Sequence, residues 1–172
     1  THDGPMHIAL TGGRTGAATM RAIGEYSVEH SGALDWSRIH LWWGDERFLP
    51  AGDPERNDQL AQESFIAQIP IPSANIHRVL ASDDGVDLEG AAADYRAQLA
   101  QFDHDGWGHP VFALVFLGVG PDGHIASLFP HRSGISLTDL PAIAVPDSPK
   151  PPAERVSLTR PVINSAEHVW LM

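Results

Sequence analysis

The chain contains no cysteine, which excludes disulfides, thiolate catalysis and cysteine-ligated zinc or iron–sulfur centres. Lysine is nearly absent too: of eleven basic residues ten are arginine, and the one lysine is Lys150. Against 22 acidic residues this leaves a formal net charge of −11, so a general nucleic-acid surface, which needs an excess of positive charge, is not expected. A site for a small anion must then be built from a few identifiable side chains. No apolar run is long enough to cross a bilayer, and the opening "THDGPMHIAL" has neither the charged nor the apolar region of a signal peptide. We therefore expect no membrane partner and a cytoplasmic location. No H-E-x-x-H or comparable ligand spacing occurs, so no metal is expected, and a set made of His124, Asp122 and His131 is a minor reading. The lysine-bearing nucleotide loop is missing as well, for no G-K-[ST] occurs.

What is present fits one α/β domain over 1–172, since 172 residues suffice for a self-supporting core. "HIAL" is a short strand running into "TGGRTG", after which Ala17, Met20, Ile23 and Tyr26 recur at a spacing of three, as on one helix face. "RIHLWWG" reads as a strand, and "DERFLPAGDPERN" as a loop, polar and broken by proline. Asn57 or Asp58 is placed to cap the next helix, and "NIHRVL" reads as a short strand. Leu88, Ala92, Tyr95, Leu99 and Phe102 repeat at three and four, the pattern of an amphipathic helix. "VFALVFL" is apolar on both faces, the signature of a central parallel strand. Strands follow in "AIAV", "RVSLT" and "VWLM", with a short helix near "PVINSAEH". The alternation predicts an open, mainly parallel Rossmann-like sheet with helices on both faces. Ligands of such sheets sit beyond the carboxyl ends of the strands.

Four unusual polar stretches fall at those ends. "TGGRTG" offers the Gly12 and Gly13 backbone, the Thr11 and Thr15 hydroxyls and a helix N-terminus to an anion; taken alone it is as readily a tight turn. In "WWGDERFLP", Arg47 is a bidentate partner for phosphate or carboxylate, and Asp45 can hold Arg47 or a sugar hydroxyl. In "GVGPDGHIASLFP", His124 reads as a base with Asp122 as its electrostatic neighbour, while Ser127 lacks a G-x-S-x-G setting and reads as a helix-surface or capping residue. "SPKPPAER" presents Lys150 between prolines and beside Arg155, two cations placed to complete a dianion pocket.

In this order and spacing "GGRT", "WWGDERFLP", "GVGPDGHIASLFP" and "SPKPPAERVSLT" resemble the 6-phosphogluconolactonases along nearly the whole chain. The resemblance implies hydrolysis of 6-phosphoglucono-δ-lactone to 6-phosphogluconate in the oxidative pentose phosphate pathway, on the sheet fold shared with glucosamine-6-phosphate and ribose-5-phosphate isomerases. It implies no cofactor, a phosphorylated sugar lactone as the small-molecule partner, and a monomer or weak homo-oligomer. By the resemblance His124, Asp122 and Arg47 are the catalytic set, and Thr11, Gly12, Gly13, Arg14, Thr15, Asp45, Lys150 and Arg155 bind the substrate and its phosphate. Arg14 and Gly16 stand where most of the family has serine and proline, so Arg14 itself is a candidate anion contact. Two other readings are an aminosugar-phosphate isomerase or deaminase and a non-catalytic sugar-phosphate sensor. The isomerase family places a glutamate five residues after the histidine, where this chain has Phe129. Against the family the chain looks short at both ends, so a domain shortened at both termini, with an exposed sheet edge, is expected.

Overall fold

A computed structural model describes residues 4–172. Its centre is a four-stranded parallel sheet of β1 (Met6–Leu10), β2 (Ile39–Trp43), β4 (Phe112–Leu117) and β7 (Val169–Leu171), in the order β2-β1-β4-β7. Because successive strand residues point to opposite faces, β1, β2 and β4 each feed two cores. Ala9, Trp42, Phe112 and Val115 pack on one side with helix α3 (Leu88–Ala100), and Leu10, Leu41, Trp43 and Phe116 on the other with α1 (Gly13–Glu29) and α2 (Asn57–Ser64). The helices thus lie on both faces of a mainly parallel α/β sheet, as the alternation predicted.

Helix α3 follows the expected spacing as far as Leu99, with Phe102 in the turn beyond its end: Asp87 caps it by accepting from Gly90 N (2.8 Å), and Leu88, Ala92, Tyr95 and Leu99 are buried. Helix α1 turns a different face inward. Its buried residues are Gly16, Met20 and Gly24, while Tyr26 is half exposed and stacks on His30. Small residues, which carry no apolar signal, let α1 lie close to the Thr11 backbone and to Phe65.

Three expectations are corrected. The "DER" of the supposed loop is β3 (Asp45–Arg47), which with β6 (Arg155–Leu158) and β5 (Ala142–Val145) makes a second, antiparallel sheet in the order β3-β6-β5. The two sheets join at Gly44, whose N–H donates to Leu10 O and whose carbonyl accepts from Leu158 N, both at 2.9 Å. "NIHRVL" contributes only the bridge between Ile76 and Leu41. Helix α2 is capped neither by Asn57 nor by Asp58 but from β3: the Glu46 carboxylate accepts from Asn57 N (2.7 Å) and Asp58 N (2.8 Å), and from Arg47 N as well (2.7 Å). A short helix α4 (Arg160–Asn164) leads into β7, the outermost strand, where Trp170 and Leu171 are exposed. No helix among the described residues is long and apolar enough to cross a membrane.

Candidate active site

Beyond the carboxyl ends of β1 and β4 lies a polar cavity of about 250 Å³. One wall is the turn from β1 into α1. Gly12 is the N-cap of α1 and offers no side-chain cap, and no acidic residue stands in the first turn. The first N–H groups and the positive end of a 17-residue helix are therefore left for an anion. Gly13 holds a φ of +78°, and an added Cβ on Gly12 would lie 1.9 Å from Asn57 Oδ1, so glycine is required at both. Thr11, Arg14 and Thr15 line the same wall.

The second wall is the β3–β6 pair. Its register sets Arg47 directly opposite Arg155 and Asp45 opposite Ser157, with all three charged side chains on the cavity. Like charges facing each other across a ladder oppose pairing. Burial, above all, lowers the pKa of Arg155; Asp45 opposes the shift and the Arg47 charge adds to it. A dianion between the two guanidinium groups would relieve that repulsion. Arg155 Nη1 lies 3.7 Å from Asp45 Oδ2, which also accepts from the Ser127 hydroxyl at 2.7 Å. Arg47 donates through Nη1 to Glu55 O, while its buried Nε has no hydrogen-bond partner.

The third wall follows β4. A turn closed by Gly120 N to His124 O and Gly123 N to Gly120 O, both 2.9 Å, carries the imidazole. A Cβ at Gly120 would come 2.0 Å from His124 Nδ1, which is why the backbone must be glycine there. His124 Nδ1 lies 2.7 Å from Asp122 Oδ1, and Phe129 stacks on the ring at a centroid distance of 4.6 Å. Lys150 donates to Asp122 Oδ1 at 2.8 Å, and this bond, before that to His124, holds the Asp122 carboxyl well below the usual carboxylate range. Such an imidazole, with its Nδ1 proton aimed at a fixed carboxylate, leaves Nε2 free to take a proton from water.

The structure thus brings to one cavity Thr11, Gly12, Gly13, Arg14, Thr15, Asp45, Arg47, His124 and Arg155. Asp122 and Lys150 stand behind the imidazole. Arg155 spends much of its guanidinium on the loop, donating to Lys150 O, Pro151 O and Pro152 O at 3.1–3.2 Å. Ser127 is no helix-surface residue: it is buried, supports Asp45, and its N–H donates to Ser157 Oγ at 3.2 Å. Ala126 before it takes a φ of +47°, a strained conformation for alanine, and lines the cavity. Sequence reasoning missed Asn57, Glu46 and Ser157. The one available signal was Ser157, a polar residue inside the apolar strand "RVSL". Among the described residues no cluster of His, Asp and Glu has the arrangement to hold a metal ion.

An α/β sheet with an anion cradle, an arginine pair and a carboxylate-backed imidazole at its carboxyl end combines a candidate anion site with a candidate base. The profile of glucosamine-6-phosphate isomerases/6-phosphogluconolactonase matches residues 1–172, and the chain belongs to that family. It is 45% identical over 173 residues to a 6-phosphogluconolactonase of Streptomyces coelicolor, covering 98% of this chain and 66% of that protein. Among solved structures, the 6-phosphogluconolactonase of Thermotoga maritima superposes with a TM-score of 0.83 at 28% identity, covering 99% of this chain and 70% of that one. A monomeric glucosamine-6-phosphate deaminase shares the fold, with a TM-score of 0.73 at 19% identity, covering 97% of this chain and 69% of that one. The chain spans about two thirds of the length of the bacterial relatives it matches and about half that of the plant ones.

Proposed function

We propose that this chain hydrolyses 6-phosphoglucono-δ-lactone to 6-phosphogluconate, the reaction of the pentose phosphate oxidative branch. The observation that carries the reading is the β3–β6 register: it sets Arg47 against Arg155 in one wall of a cavity that holds His124 in another. The phosphate sits between the arginines and the α1 N-terminus, and the lactone carbonyl faces His124. Water gives a proton to His124 Nε2 as its oxygen bonds to the carbonyl carbon. The tetrahedral oxyanion is stabilised by the cationic wall. The carbon–ring-oxygen bond then breaks, and the ring oxygen takes the proton from Nε2. No cofactor enters this sequence of steps, and a cytoplasmic monomer or weak homo-oligomer goes with it.

The isomerase alternative is not favoured. Moving protons between carbon and oxygen needs a further acid, and at the position where the isomerases carry glutamate, Phe129 is buried and stacked on His124. The test is kcat/KM for the phosphorylated lactone against unphosphorylated glucono-δ-lactone, with glucosamine 6-phosphate as control. We expect a preference of about a hundredfold or more for the phosphorylated lactone, from charge-assisted bonds to its phosphate. Binding of the phosphorylated lactone without turnover would make the chain a sensor and overturn the reading, as would turnover of glucosamine 6-phosphate.

A further inference from the structure

Lys150, the one lysine of the chain, was expected among the phosphate ligands, but its ammonium is committed elsewhere. Nζ donates to Asp122 Oδ1 at 2.8 Å and lies 3.2 Å from His124 Nδ1, while Asp122 Oδ1 is 2.7 Å from the same ring nitrogen. Ammonium, carboxylate and imidazole form a closed triangle on the Nδ1 side of the ring. The lysine does not line the cavity. Its backbone is fixed from two sides. Ser148 Oγ donates to Lys150 O at 2.9 Å and accepts from Lys150 N at 3.2 Å, and Arg155 Nη2 donates to Lys150 O at 3.2 Å. A loop tied down in this way presents one amine at one place.

The chemistry of the pair explains why a third member is needed. A carboxylate alone beside an imidazole stabilises the imidazolium, which has no lone pair to offer water. An ammonium bound to the same carboxylate oxygen offsets that attraction and adds a positive charge about 3 Å from the ring, which disfavours a second proton there. The carboxylate still orients the Nδ1 proton. The other charged groups on the cavity are Arg14, Arg47, Arg155 and Asp45, and the ring face is covered by apolar Phe129.

We propose that Lys150 is a positioning residue for the base and not a ligand of the substrate's phosphate: held on Asp122, its ammonium keeps the His124 imidazole neutral, with Nε2 free to accept a proton. The proposal rests on the reading of His124 as the base. It assigns the phosphate to Arg47, Arg155 and the α1 N-terminus. Lys150 itself exchanges no proton.

The test compares the parent with Lys150→Met and Lys150→Arg. Three readings are taken on each: kcat/KM for the phosphorylated lactone against pH, inhibition by inorganic phosphate, and imidazole NMR of the free protein against pH. The lysine side chain is more than a third exposed, so both variants should keep the parental melting temperature within a few degrees. In Lys150→Met the ratio of kcat/KM at pH 8 to that at pH 6 is expected to rise about tenfold, as the acid limb moves upward. Lys150→Arg, which keeps the charge, restores most of the parental profile, and phosphate inhibition stays within about twofold in both. The His124 ring of free Lys150→Met should hold its second proton to higher pH than the parental ring does. That reading needs no turnover, so it stands even if the parent does not hydrolyse the lactone. An unmoved profile and unmoved ring titration, with phosphate inhibition weakened tenfold, would overturn the proposal and make Lys150 a phosphate ligand. Unmoved profile, titration and inhibition together would overturn it equally.

Discussion

The two ends of the parallel sheet both carry histidines, and they use them in opposite ways. At the carboxyl end one imidazole, His124, has a carboxylate and an ammonium on one nitrogen and a polar cavity in front of it. At the amino end His7 and His40 are register partners on β1 and β2, and His77 packs against both His40 and Trp42. Those rings are enclosed by Trp42, Phe102 and Phe112; Trp42 Nε1 donates to His7 Nδ1 at 3.0 Å, and His40 Nδ1 lies 2.9 Å from His77 Nε2. Burial, then the neighbouring imidazoles, pushes His7 down to about 3 and His77 to about 4. The contacts of these ring nitrogens are an indole N–H and a second imidazole. The residue type is shared; whether a histidine packs or reacts is decided by the charges fixed around it.

The comparison can be broken most sharply at His124. His124→Ala should lower kcat/KM for the phosphorylated lactone by about a thousandfold, mostly in kcat, because a general base is lost while the phosphate grip remains. His77→Phe, at the other end, should leave kcat/KM within about twofold, and steady-state kinetics on the pair checks the contrast.

A smaller effect is expected behind the cavity wall. Glu46→Ala removes the acceptor of three backbone N–H groups, two of them opening α2, and should destabilise the fold by about 3 kcal/mol in urea titration. The activity that survives in folded molecules should be close to parental, since Glu46 does not line the cavity.

Acidification sharpens the comparison from the packed end. His7 and His77 have folded values below their unfolded one of 6.5, so the unfolded chain binds more protons between those limits. The stability they confer is complete above pH 6.5 and is lost as pH falls through about 4 and then about 3. Glu46, pushed up to about 7 chiefly by burial, contributes with the opposite sign between 4.5 and 7. We expect a net loss of about 2 kcal/mol from pH 7 to pH 4, and a smaller loss in His77→Phe, measured by denaturant titration at each pH.

The smallest change is Ser127→Ala. It removes the hydroxyl bond to Asp45 at 2.7 Å and should cost about 1 kcal/mol, with kcat/KM down by a few fold as Asp45 loosens beside Arg155.

Much of this was legible in the sequence, for physical reasons that differ by element. "VFALVFL" and the part of the apolar repeat from Leu88 to Leu99 were readable because burial on two faces or on one stripe leaves a periodic apolar trace. The buried face of α1 was not, because Gly16 and Gly24 pack by being small. The strand Asp45–Arg47 was hidden because an all-polar triplet has no strand period; its pairing comes from β6, far away in the chain. For the same reason Glu46 received no role of its own and Asn57 read as a cap, when one binds backbone of α2 and the other backs the Gly12 turn. The motif residues of the cavity were visible individually. That Lys150 faces Asp122 instead of the cavity wall depends on a loop fixed by Ser148 and Arg155, which spacing cannot express.

The central claim is that one phosphorylated sugar acid bridges the imidazole and the arginine pair at the carboxyl end of the sheet. Its most direct test is titration of the parent with 6-phosphogluconate, followed by NMR of backbone amides and histidine rings. The account predicts that the Gly12 and Gly13 amides and the His124 ring shift together with one saturation curve, while His7, His40 and His77 stay still. Saturable shifts centred on those three rings, or movement of the glycine amides with a silent His124, would contradict it.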